Sequence, residues 1–275
     1  MTSRDPNFTP SFYFLQQELF LLEASLRSGL DGILNGGVHD KGSLYSGFFQ
    51  FSIGLERLLK TTLVIDFMLR NSWQAPTNSW LKDNFGHDLH KLYDAVAALP
   101  DSQALKHAFP ATGGLEMRLL DFFSLFATAS RYYNLNSLTG TKRGLDPLEE
   151  WNGFLSEVLN SEVPAAARRK LKLNSELAGR LEAIVTVVRS GLDKQPLGVR
   201  EAVELPAAHK ATSPYLVRRL LKLIRPVHEV LGVLSHRACS APSPGEPRMQ
   251  IPDIGDMLLF AYVNDRDALK KKRWR

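Results

Sequence analysis

The stretch Tyr45–Arg70, YSGFFQFSIGLERLLKTTLVIDFMLR, decides the fold. Phe48, Phe51, Leu55, Leu58, Leu59, Thr62, Ile65 and Leu69 recur at steps of three and four and share one helical face. Phe49, Leu63, Val64, Phe67 and Met68 widen that face. A helix apolar over most of its girth belongs in the middle of a bundle. Glu56, Arg57 and Lys60 interrupt the apolar run, so it is read as a core helix and not as a membrane span. The spacing predicts a helix over 43–71.

Working outward, Thr9 caps and Pro10 starts a first helix whose buried side is Phe12, Leu15, Leu19, Leu22, Leu26, Leu30 and Ile33. Asn35-Gly36-Gly37 ends it. After the core helix, residues 71–85 read as a loop, and His87 or Asp88 opens a short helix that Pro100 stops. Gly113-Gly114 precedes a helix carrying Leu115, Leu119, Phe122, Phe123 and Phe126. Residues 137–147 are rich in turn formers and mark a boundary, after which Asp146-Pro147 begins a helix with Trp151, Leu155 and Val158 inward. Leu173, Leu177, Leu181, Ile184 and Val188 predict another buried helical face. Ser213-Pro214 is read as the start of a further helix, kinked at Pro226. Residues 241–247 form a Pro/Ser loop, and Met257–Val263 suits strand or helix equally. The expectation is an all-α antiparallel bundle in two parts, 1–140 and a basic helical region 141–275 packed on it or extending it.

Composition sets bounds on function. A chain of 275 residues, 44% apolar and 23% charged, is an ordinary globular protein. Met1–Pro10 is polar and predicts no secretory signal, and a single cysteine, Cys239, excludes an internal disulfide framework. A cytoplasmic location is expected. Residues 1–140 carry 11 Lys/Arg against 13 Asp/Glu, whereas residues 141–275 carry 23 against 16. The positive charge therefore belongs to the second half, and suits nucleic acid or an acidic partner.

Two motifs, Gly54-Leu55-Glu56-Arg57-Leu58-Leu59-Lys60 and Gly86-His87-Asp88-Leu89-His90-Lys91-Leu92, lie either side of a loop. With the Arg131-Tyr132 turn that follows, this order resembles the HEPN superfamily over roughly residues 10–140. Those are helical modules of prokaryotic toxins, phage-defence proteins and nucleotidyltransferase partners. The resemblance implies a helical bundle, a homodimer or partner subunit, and a defence or toxin–antitoxin setting. Its ribonuclease members place a histidine after an arginine with four to six residues between them. Here the positions where that histidine should follow Arg131 are Asn136, Ser137 and Leu138, and an amide does not titrate usefully as a general base. The resemblance therefore implies binding more than cleavage. The enzymatic alternative is a metal-independent endoribonuclease with a composite site of Arg131, Asn136 and His87. A third reading is a scaffold that docks an acidic protein.

The sequence offers a basic surface for RNA or other nucleic acid. Arg218, Arg219, Lys222 and Arg225 form a helical stripe, Arg168, Arg169 and Lys170 open another helix, and Lys270, Lys271, Lys272 and Arg273 form a tail whose Trp274 could stack on a base. On this reading, changing Arg218, Lys222 and Arg225 to Glu abolishes RNA binding and spares the fold. His87, His90 and Asp94 share a face, but with no further ligand pair His87 is read as a helix-start residue, and neither metal nor cofactor is expected. No phosphate-binding glycine loop or nucleophile elbow is present, and no membrane partner is expected.

Overall fold

The computed structural model describes residues 7–141, 144–180, 187, 189–240, 249–254 and 257–274. Among these the protein is all-α. Its helices are α1 (Pro10–Asn35), α2 (Lys41–Arg70), α3 (Asn78–Asn84), α4 (Leu89–Ala97), α5 (Leu115–Thr128), α6 (Tyr133–Leu138), α7 (Pro147–Ser161), α8 (Ala165–Gly179), α9 (Val199–Ser240) and α10 (Asp265–Ala268). The caps follow the sequence. Thr9, Asp40, Thr77, Asp88, Asp146 and Asn264 each accept a backbone N–H of the first turn of the helix that follows.

α1 and α2 are antiparallel, and glycine sets how close they come. A Cβ on Gly32 would lie 2.7 Å from the Gly47 Cα, and one on Gly29 would lie 2.6 Å from the Phe51 backbone nitrogen. Gly54 meets Leu26 in the same way, at 2.8 Å. The backbones touch where other seams have side chains between them. Beside this seam, Phe48 packs edge-on against Phe122, at 5.1 Å between ring centroids, and lies 4.8 Å from Trp151. One cluster of buried side chains thus runs from Leu15 of α1 through α2, α5 and α7 to α9 and Trp274, across position 140 without a break.

α9 differs from its expected form. It begins at Val199 and continues through Pro206, Pro214 and Pro226 as a single helix. An interior proline costs about 3 kcal/mol in an isolated helix. Here Leu216, Val217, Leu220, Leu221, Leu223, Ile224, Val227, Val230, Leu231 and Leu234 are all fully buried, which outweighs that cost. α8 also departs from expectation. Leu173 and Leu177 face solvent at 56% and 50% exposure, and the one buried residue of the helix is Ser175. Leu181, Ile184 and Val188, expected to continue that face, lie outside the described residues, as does the 241–247 loop. The expected 71–85 loop contains α3, and the ambiguous Met257–Val263 run contains a 3-10 turn, Leu259–Tyr262.

Candidate functional site

A groove of about 760 Å³ opens beside the start of α2, and its lining includes Lys41, Tyr45, Phe49, Arg131, Tyr132 and Lys194. Three separate pieces of backbone build it. Asp40 caps α2 through the Ser43 N–H, 3.0 Å away, and so fixes where Lys41, Tyr45 and Phe49 project. The Tyr45 hydroxyl donates toward the Ser130 and Arg131 carbonyls, at 3.0 and 2.9 Å, and pins the Arg131 turn over α2. Burial, then the nearby Asp146 charge, pushes the Tyr45 phenol up to about 12. This tyrosine is therefore a hydrogen-bond donor at neutral pH. Gly144, at φ +81°, passes so close to Ser130 that a Cβ would lie 2.6 Å from its Oγ. Only glycine fits there.

The third piece is the 191–197 turn. Lys194 adopts a left-handed backbone at φ +64°, unusual for a residue with a side chain. Its Nζ reaches the buried Asp146 carboxylate and lies 4.6 Å from the Tyr133 ring centroid. Lys41 donates to the Gly191 carbonyl at 2.6 Å and to Ser190 Oγ at 3.0 Å, tying α2 to the same turn. Arg131 differs from these lysines. Its guanidinium lies 5.3 Å over the exposed Tyr132 ring and has no carboxylate partner among the described residues. Phe49 and Tyr132, at 40% and 57% exposure, give the groove open aromatic faces. No carboxylate and no imidazole line it among the described residues. Such an arrangement can hold an anion beside a flat ring.

The stripe on α9 is placed differently from its sequence reading. Arg218 and Arg219 both grip Glu162, and Arg219 also donates to Glu116 at 2.7 Å. Lys222 lies 3.6 Å from Glu116. Arg225 is buried and donates to Asp265 and to the Val263 carbonyl, both at 2.6 Å, and to the Ala261 carbonyl at 3.0 Å. These cations join α9 to α5, α7 and the C-terminal turns. Hydrogen bonding from Arg219 and the positive charges nearby hold the Glu116 carboxyl below its ordinary value, against burial. The stripe is an internal ion-pair network, because each carboxylate is brought from a distant part of the chain.

The tail is likewise internal at its end. Trp274, expected to stack on a base, is fully buried, with the Phe260 ring 6.3 Å away and Lys271 over its own ring at 5.3 Å. Arg27 donates to its carbonyl at 2.8 Å, and Asp31 accepts its N–H. The indole repays burial through its area, and α1 supplies partners for the backbone groups of Trp274, while the indole N–H is buried without a hydrogen-bond partner among the described residues. Lys270, Lys272 and Arg273 are exposed. On α8, Arg168 donates to the Asn160 carbonyl at 2.9 Å, whereas Arg169 and Lys170 are exposed.

The composite Arg131–Asn136–His87 site is not assembled within one chain. His87 pairs with Glu56 at 2.9 Å, while Tyr45 pins Arg131. Tyr45 and Glu56 are eleven residues apart on α2, about 16 Å along a helix that rises 1.5 Å per residue. Asp88, and not His87, caps α4. His90 sits between Asp94, at 3.0 Å, and Asp121, at 3.5 Å. Among the described residues no group of three or more His, Cys, Asp or Glu is placed to hold a metal ion, and no helix is long and apolar enough to cross a membrane. Compared with known protein-family models, curated proteins and solved structures, the chain matches none.

Sequence reasoning found Arg131 but missed Lys41, Phe49 and Lys194. Nothing in the local sequence brings residue 41 to residue 194; the juxtaposition exists only once α2 and the 191–197 turn have folded.

Proposed function

We propose that the chain is a HEPN-like helical binding module whose ligand is RNA, held in the Arg131 groove. The observation that carries this reading is the Arg131 guanidinium, without a carboxylate partner among the described residues, beside the exposed Tyr132 and Phe49 rings, with Lys41 and Lys194 on the same groove. Phosphate contacts to Arg and Lys supply affinity, and bases stack on aromatic rings. Binding without cleavage fits the groups present. Among the described residues the lining holds no carboxylate and no imidazole to act as a general base, and burial keeps the Tyr45 phenol protonated. The phage-defence or toxin–antitoxin setting and a homodimer rest on the resemblance of residues 10–140 alone.

The test is fluorescence anisotropy with a labelled oligoribonucleotide over a salt series. Arg131→Ala and Tyr132→Ala should each weaken binding by about tenfold, since one stacked base contributes about 1–3 kcal/mol. Arg131→Ala should also reduce the salt slope by about one. Unchanged affinity in both variants would refute the groove.

A further inference from the structure

α8 lies on α9 and turns its opposite face to solvent. The residues it leaves exposed include Ala166, Arg169, Lys170, Leu173, Leu177 and Arg180, at steps of three, four and seven that put them on one stripe. The covered side holds the half-buried Ala167, Leu171 and Ala178 around the buried Ser175, with Gly179 against the Arg200 side chain of α9. Leu173 and Leu177 therefore point away from the core, on a helix whose packing face is Leu171 among small residues.

Charge singles out the same stripe. On it Arg169, Lys170 and Arg180 are exposed and have no carboxylate partner among the described residues. On α9, by contrast, Arg218, Arg219, Lys222 and Arg225 all have one. Glu176 is the single acid of α8.

We propose that the outward face of α8 docks an acidic amphipathic helix of a partner protein. The partner seats apolar side chains on Leu173 and Leu177 and brings carboxylates to Arg169, Lys170 and Arg180. Leucines four residues apart form the ridge that a crossing helix packs against. The leucines also argue against the other polyanions. A phosphate backbone gains nothing from two half-exposed aliphatic side chains on its docking face. An interfacial membrane helix needs a broad apolar face, usually with Trp or Phe, and α8 has neither aromatic.

A fluorescein-labelled helical peptide, with leucines at three-four spacing and glutamates elsewhere, is titrated with the full chain. A matched peptide with lysines in place of glutamates serves as control. The expected result is saturable binding of the acidic peptide only, weakened at least about tenfold by Leu173→Ser with Leu177→Ser. Arg169→Glu with Lys170→Glu should also weaken it, and added salt should weaken it further. Both pairs of changes are on solvent-facing positions, and circular dichroism confirms that the variants remain folded. Three results would overturn the proposal: no binding of the acidic peptide, equal binding by the leucine variant, or preferential binding to phosphatidylserine vesicles.

Discussion

His209 shows what burial does to one side chain. It is 4% exposed, neither ring nitrogen makes a well-formed hydrogen bond among the described residues, and a Cβ on Gly37 would lie 3.3 Å from its ring. Burial pushes the imidazole down to about 4, and the nearby Ile33 carbonyl offsets this only in part. Between that value and the ordinary 6.5, the unfolded chain binds a proton that the folded chain does not. Stability should therefore be fully present above about pH 6.5 and fall as pH drops toward 4, by up to about 3 kcal/mol. Urea unfolding at a series of pH values checks this against His209→Leu, which should lose that part of the slope while His228 and the carboxylates keep theirs. Equal slopes in the two proteins would mean that the imidazole is not held neutral. This histidine was not legible beforehand, because nothing local marks position 209 as the underside of the Gly36–Gly37 turn.

At the scale of elements, the α1–α2 seam and the α9 network make separate predictions. Gly47→Val puts a branched side chain where even a Cβ would lie 2.8 Å from the Gly32 carbonyl carbon. Overpacking of this kind costs about 1–3 kcal/mol, read as a lower denaturant midpoint. On α9, Arg219→Ala leaves Glu116 and Glu162, with side chains 10% and 11% exposed, facing each other with one cation fewer. Because the arginine side chain is itself a quarter exposed, the cost is discounted to about 2 kcal/mol. Changing Arg218, Lys222 and Arg225 to Glu should unfold the protein, not merely abolish RNA binding, and circular dichroism of the triple variant separates the two. Helical faces and caps were legible because periodicity and capping are local. The pairing of the arginines was not, since Glu116, Glu162 and Asp265 lie 103, 57 and 40 residues from their partners. The same limit explains α8: a leucine repeat marks an apolar face without saying whether the fold covers it.

Over the whole molecule, the chain closes on itself. The C-terminal Trp274 fills space against α1, and one core joins residues on both sides of position 140. Trp274→Ala should cost about 3–5 kcal/mol, and thermal unfolding should remain a single transition, since no part keeps a core of its own. The all-α class and the central place of α2 could be read from residues 45–70, whereas the groove could not. It needs α2, the Arg131 turn and the 191–197 turn to meet, and only Arg131 was singled out by its sequence context. The central claim is that RNA lies on those three pieces. Photo-crosslinking of an oligoribonucleotide carrying 4-thiouridine, followed by mass spectrometry of the digested protein, tests it most directly. Adducts on Phe49, Tyr132 or their immediate neighbours are predicted; adducts confined to α8, α9 or the tail would contradict it.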